Sequence, residues 1–212
     1  ARKVAETNGV TCYDTFTGFK FMAEKKNALE AAGEGKVIFS YEESYGYMLG
    51  DYVRDKDAVT ASMLLTEMAA WYAAQGMTLF DALNALYEKY GYYAEKTHNL
   101  VMPGLDGLRD MAELMRKLKD EPPTEIAGTE VVVRKDYNDG TVHDCRTGAV
   151  TKMELSGSNV LRFELSDGTT ILARPSGTEP KIKVYILARG KDAADAAANV
   201  EKYGAWAEAL NG

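Results

Sequence analysis

The residue types best suited to chemistry are concentrated in Arg174-Pro175-Ser176-Gly177-Thr178-Glu179-Pro180-Lys181-Ile182-Lys183, and the chemistry they suit is anion binding. Arg174 offers a planar fork of donors that grips phosphate oxygens in pairs, and Ser176 and Thr178 add hydroxyl donors. Gly177 lets the backbone come close and turn its N–H groups inward as a nest. Pro175 and Pro180 stiffen both shoulders, which lowers the entropy lost when a ligand is ordered there. The spacing is not that of a nucleoside-triphosphate loop, because Gly177 is not followed by a second glycine before a lysine. From these residues alone, a phosphate loop and a polar hairpin loop with Arg174 paired to Glu179 are equally supported.

Two further groups lie upstream. Tyr41-Glu42-Glu43-Ser44-Tyr45-Gly46 follows an apolar run, so Glu42, Glu43 and Ser44 fall at the carboxyl end of a predicted strand, where open α/β sheets bind ligands. Carboxylates accept two hydrogen bonds at once and suit sugar hydroxyls, and alternation along an extended chain puts Glu42 and Ser44 on one face. Tyr41, Tyr45, Tyr47 and Tyr52 surround this loop; ordinary packing accounts for any one of them more readily than stacking on a ring. In Thr17-Gly18-Phe19-Lys20-Phe21, Lys20 sits near a helix start, where a helix dipole favours an anion, so a bound phosphate and a simply solvated lysine are both consistent. Lys56, beside Arg54, is a candidate proton carrier if a cleft lowers its pKa, although an ion-pair cluster explains it locally.

Composition limits the rest. The chain has 212 residues, room for one large or two ordinary domains, and its 46% hydrophobic and 27% charged residues suit a globular core. A net charge of −7 disfavours nucleic-acid and anionic-membrane partners, so any phosphate site must be a local island of positive charge. Cys12 and Cys145 are far apart and form no metal or redox spacing, which fits a cytoplasmic protein. His98 and His143 are isolated and read as structural or surface residues. No apolar run approaches the ~20 residues of a membrane span, and the N-terminus has no signal-peptide profile.

The elements that must position these residues follow from periodicity. Ala1 to Asn8 reads as the end of a helix stopped by Gly9, followed by a short strand at Val10 to Tyr13; with no initiator methionine, the first domain is expected to be truncated at its N-terminus. A helix carrying Phe21, Met22, Ala28 and Leu29 leads to a buried-type strand at Lys36 to Tyr41. A long helix from Ala58 to Gln75, capped by Asp55 or Asp57, is apolar on nearly every side and is predicted to be buried. Thr78 and Asp81 open the next helix as a capping box. The stretch from Gly91 to Gly107 is irregular, and the domain boundary is placed near Leu100 to Gly104, giving domains 1–102 and 103–212. The second domain reads as a helix with Leu108, Met111, Met115 and Leu118 on one face, then strands at Val131 to Tyr137, Asn159 to Leu165, Thr169 to Ala173 and Lys181 to Leu187, and a helix from Ala193 to Leu210. Asp167-Gly168 is the strongest hairpin signal. The architecture is therefore α/β followed by α+β, the second part a small antiparallel sheet covered by two helices.

The three motifs Thr17 to Phe21, Tyr41 to Gly46 and Arg174 to Lys183, in that order, resemble those of the α-D-phosphohexomutases, the phosphoglucomutase and phosphomannomutase family, and the similarity runs through nearly the whole chain. The resemblance implies most of the family's third domain, a truncated α/β/α sandwich, and all of its fourth, a TATA-box-binding-protein-like sheet. It carries sugar-hydroxyl contacts to Glu42 and Ser44, the substrate cleft to Thr17, Gly18 and Lys20, a cleft lysine to Lys56, and phosphate binding to Arg174, Ser176, Gly177, Thr178 and Lys183.

The implied reaction is an isomerisation. A phosphoserine donates its phosphoryl group to a hexose phosphate, a bound hexose 1,6-bisphosphate reorients, and the serine is rephosphorylated with magnesium neutralising charge. Neither the serine motif nor the Asp-rich metal loop occurs in these residues, so the partners expected are a small phosphosugar and the missing N-terminal domains of the same chain, and the chain alone is expected to be inactive. The hinge near Leu100 is expected to let the second domain close over the ligand. A stand-alone phosphosugar-binding module and a phosphopentomutase branch remain alternatives; the tyrosines around Glu42 lean towards glucose over mannose.

Overall fold

An apolar stripe at helical spacing, Phe19, Ala23 and Leu29, organises the start of the chain. A computed structural model describes residues 1–50 and 52–210, so positions 211 and 212 of the expected second domain lie outside it. The chain forms two compact units, Ala1–Tyr90 and a second beginning at Gly91. In the first, α1 (Arg2–Thr7) is followed by an unpaired stretch where the sequence predicts a strand at Val10 to Tyr13. The helix α2 (Phe19–Ala31) buries Phe19, Ala23, Lys26 and Leu29, whereas Ala28, expected on the apolar face, is exposed. It stops before Gly33, whose φ of 70° suits a residue without a Cβ.

The predicted strand at Lys36 to Tyr41 is shifted and is not buried. The strand β1 (Phe39–Glu42) pairs antiparallel with β2 (Gly46–Leu49) and with no other strand among the described residues, so Ile38 and Phe39 stay exposed. The helix α3 (Ala58–Ala73) is capped by Asp57, whose carboxylate accepts from the N–H groups of Val59 and Thr60; Asp55 instead holds the N–H of Lys56. Its predicted burial is not observed. No residue of α3 is buried, and Val59, Met63 and Trp71 are each at least 60% exposed. Its main neighbours among the described residues are β2 and α4 (Leu79–Tyr90), and a two-stranded hairpin covers one flank at most. The capping box forms as expected: Thr78 N–H donates to Asp81, and Asp81 N–H donates to Thr78 Oγ1 at 3.1 Å.

The second unit is the expected antiparallel sheet with two helices. Its strands are β3 (Tyr92–Val101), β4 (Glu125–Ile126), β5 (Thr129–Asp136), β6 (Thr141–Asp144), β7 (Val150–Lys152), β8 (Leu161–Leu165), β9 (Thr170–Pro175) and β10 (Lys181–Gly190), in the order β3-β10-β9-β8-β5-β6-β7 with β4 beside β5. Alternation is clean in β8, β9 and β10, and their inward residues Phe163, Ile171, Ile182, Val184 and Ile186 form the core. The helices α5 (Gly107–Asp120) and α6 (Ala193–Ala209) cover that face, α5 with Met115 and Leu118, α6 with Val200, Tyr203 and Ala207. Leu108, expected on the same stripe of α5, is 62% exposed.

The largest departure concerns residues 91–107. The sequence reads them as irregular, yet β3 pairs with β10 from Tyr92↔Gly190 to Val101↔Lys181 and forms the sheet edge. The boundary expected at Leu100 to Gly104 therefore falls at the far end of this strand, and the units divide at Tyr90 and Gly91. Leu100 is paired with Ile182 and only 4% exposed, so it belongs to the core and does not form a hinge. Its burial depends on a strand more than eighty positions away in sequence, which no local pattern announces.

Candidate functional site

The Arg174 motif forms the β9–β10 hairpin. Arg174 and Lys183 are direct cross-strand partners, and Asn99 of β3 continues the same row on the other side of Lys183. Because Ala173, Ile182 and Val184 are buried, alternation puts Arg174 and Lys183 on the opposite face, away from α5 and α6. Glu179 pairs with Lys181 at 2.6 Å, and that hydrogen bond, with Lys181 and Lys183 nearby, holds its carboxyl below the usual range.

The connecting loop is tied to its own backbone. Ser176 N–H donates to Lys181 O at 2.9 Å, and Lys181 N–H donates to Glu179 O at 2.8 Å. The nest expected around Gly177 is not formed: Gly177 has no left-handed φ, and the Thr178 N–H reaches back to Ser176 Oγ at 3.4 Å. The Pro180 shoulder is held by a contact the sequence does not reveal. Its carbonyl accepts from Met102 N–H at 2.9 Å, and its ring lies against Gly107, where a Cβ would stand 2.1 Å from Met102 O and 3.1 Å from Pro180 Cβ. The start of α5 can approach this loop only because position 107 has no side chain.

Glu42 ends β1, and Glu43 to Tyr45 form the turn into β2, with Tyr45 left-handed at φ 63°. The expectation that Glu42 and Ser44 share one face of an extended segment is thus corrected: Ser44 sits in a tight turn and is exposed. Glu42 is half-buried on the side of Met48 and Gly46, and a Cβ at Gly46 would lie 2.6 Å from the Phe19 ring and 3.1 Å from Glu42 Oε1. Phe39, Tyr41 and Tyr47 stack on the opposite face, with ring centroids 5.7 and 6.1 Å apart, so Tyr41 and Tyr47 do not flank the Glu42 carboxylate.

Gly18 is the N-cap of α2 and leaves its first turn without a side-chain cap; Thr17 precedes it, and Lys20 in that turn is exposed, its Nζ 4.7 Å from the Phe21 ring centre. Lys56 Nζ lies 3.1 Å from Asp55 and 5.7 Å from the Phe19 ring centre, so it borders the same end of α2. Sequence reading missed Lys26. It occupies the buried stripe of α2, 1% exposed, and pairs with Glu30, which Arg54 approaches at 3.9 Å. A lysine interrupting an apolar stripe four positions before a glutamate is the signal that marks it.

His98 is buried, with Nδ1 3.1 Å from Glu208, and His143 pairs across β5–β6 with Arg134. Among the described residues no three His, Cys, Asp or Glu side chains converge as a group of metal ligands. No described helix is long and apolar enough to cross a membrane.

Comparison with known proteins agrees with this layout. Residues 1–90 match the model of the phosphoglucomutase/phosphomannomutase alpha/beta/alpha domain III, and residues 99–201 match that of the C-terminal domain of the same family. A phosphoglucomutase of Staphylococcus aureus (strain bovine RF122 / ET3-1) is 35% identical over 185 residues, which is 87% of this chain and 33% of that protein. That of strain N315 is 34% identical over 199 residues, 94% of this chain and 36% of the relative. The chain thus spans about a third of the length of the curated relatives it matches. The crystal structure of the Paramecium exocytosis-sensitive phosphoprotein parafusin, a phosphoglucomutase, superposes with a TM-score of 0.64 at 22% identity over 98% of this chain and 35% of that one, which supports the fold. With both domain models matched in order, the chain belongs to the phosphoglucomutase/phosphomannomutase family.

Proposed function

We propose that these residues are the substrate-recognition part of a phosphoglucomutase, which moves a phosphoryl group between the 1 and 6 positions of a hexose phosphate through a bound hexose 1,6-bisphosphate. The observation that carries the reading is Arg174 directly across from Lys183, beside a short loop with Ser176 and Thr178 whose shoulder is fixed at Pro180. In this reading Arg174, Lys183, Ser176, Thr178 and the Gly177 backbone clamp the phosphate that is not being transferred. Glu42 and Ser44 bind ring hydroxyls, and the uncapped start of α2 at Thr17, Gly18 and Lys20 lines the cleft. Lys56 moves a proton.

A sugar that must bind in two orientations is served by a strong charge anchor and few hydroxyl contacts, since the anchor restricts motion while the ring is free to exchange ends. Transfer itself requires a phosphoserine and magnesium, which none of the residues named here supplies, so the 212-residue chain binds a phosphosugar without turning it over. Glucose is preferred over mannose in this reading, and the compartment is the cytoplasm, consistent with both cysteines being free thiols.

Calorimetric titration with glucose 1-phosphate tests the proposal. Arg174→Ala should weaken binding at least about tenfold, because a bidentate charge-assisted pair is lost; equal affinity in the variant would end the assignment. Glu42→Gln should weaken glucose 1-phosphate while leaving inorganic phosphate unchanged, and parallel loss of both would remove Glu42 from hydroxyl recognition.

A further inference from the structure

A second concentration of charge lies elsewhere in the second unit. A cavity of about 230 Å³ opens between the C-terminal end of α5 and the β5–β6 hairpin, walled by Leu118 and Pro122 and floored by Phe163. Arg134 and His143 are register partners across β5–β6, and Arg134 Nη2 stands 3.2 Å from His143 Nδ1. Arginine only donates, so His143 accepts through Nδ1 and is neutral, with its proton on Nε2.

The carboxylates around this cavity are already engaged. Asp136 of β5 and Asp139 of the following turn both hold Lys119 of α5, at 2.9 and 2.8 Å, and Asp120 pairs with Arg116 at 3.2 Å. Lys135 of β5 also lines the cavity and pairs with Glu164 at 2.8 Å, and β8 contributes Leu161 and Phe163 to the lining. Among the described residues Arg134 has no carboxylate within ion-pair distance; its partner is an uncharged imidazole.

We propose that this cleft is a second oxyanion site, which takes the phosphate group of a small phosphorylated molecule on Arg134 and His143. The guanidinium fork matches phosphate oxygens in pairs, and Lys119 and Lys135 add positive charge to the rim. Burial, then the charge of Arg134, holds His143 below its ordinary pKa. A bound anion reverses the sign of the local field, so binding takes up a proton and tightens as pH falls through the titration of His143.

With two histidines in the chain, the test is direct. Inorganic phosphate is titrated into the 212-residue chain while the ring C–H resonances of His98 and His143 are followed by NMR at several pH values. The expected result is a saturable His143 shift whose midpoint moves to higher pH, with His98 unmoved. Arg174→Ala should preserve it, which separates this site from the β9–β10 loop. Arg134→Gln should weaken it at least about tenfold. If Arg134→Gln does not fold, Arg134→Lys, which keeps the charge and loses the fork, should show the same direction of change. No saturable His143 shift, a shift that survives both Arg134 variants unchanged, or one lost in Arg174→Ala would overturn the proposal.

Discussion

Tyr203 shows how much a single side chain can join. It is fully buried in α6, its hydroxyl donates to Asp167 in the β8–β9 turn, and it lies 2.9 Å from Thr129 Oγ1 at the start of β5. Burial first, then Asp167, pushes its pKa up to about 12, so it stays neutral across the physiological range. Tyr203→Phe leaves the Asp167 oxygen without that donor and should cost about 1–2 kcal/mol in urea unfolding; an unchanged midpoint would mean that water replaces the hydroxyl. Asp57 is a pH-sensitive cap. Its bonds to Tyr52, then Thr60 and Val59, hold its carboxyl at about 2, against an ordinary 3.8. A depressed carboxylate contributes stability above its ordinary value and loses it as pH falls towards the folded one. Protection factors of the first-turn amides of α3, which remove the intrinsic pH dependence of exchange, should therefore fall between about pH 4 and 2, and Asp57→Asn should flatten that dependence.

Among the elements, the start of α5 and the β9–β10 loop depend on each other. A methyl group at position 107 would meet the Met102 carbonyl, which is backbone and cannot step aside cheaply. Gly107→Ala should cost about 1–3 kcal/mol, the usual range for overpacking, and should weaken phosphate binding by releasing the Pro180 shoulder. Loss of stability with unchanged binding would show that the loop is preorganised without α5. The β1–β2 hairpin bears the same relation to α2 through Gly46 and Phe19. Hairpins and capping boxes of this kind were legible in the sequence: Thr78 with Asp81 and Asp167-Gly168 act within a few residues, and both appear where predicted. What the elements lie against was not. The apolar α3 reads as buried and is exposed, because burial depends on neighbours and not on composition.

At the scale of the molecule, the two units differ in how much apolar surface they enclose. The second has a continuous core from Leu100 to Ala207, while the first buries only a few apolar side chains, among them Phe19, Leu29 and Met48. Trp71 lies in the first unit and Trp206 in the second, so Trp71→Phe and Trp206→Phe variants isolate the fluorescence of each. The first unit should unfold at lower denaturant than the second, and coincident transitions would contradict the difference in their cores. The sequence by itself determined the family, the order of the motifs, the two-part architecture and the cationic hairpin around Arg174, since each is written in residue types close together along the chain. Only the tertiary structure decided that residues 92–101 are the sheet edge, that Lys183 faces Arg174 with Asn99 beside it, that Glu42 and Tyr41 point to opposite sides, and that Arg134 meets His143 in a cleft. Those relations come from strand pairing and side-chain alternation, and pairing is selected by the burial of whole faces, a free energy that no short stretch of sequence contains.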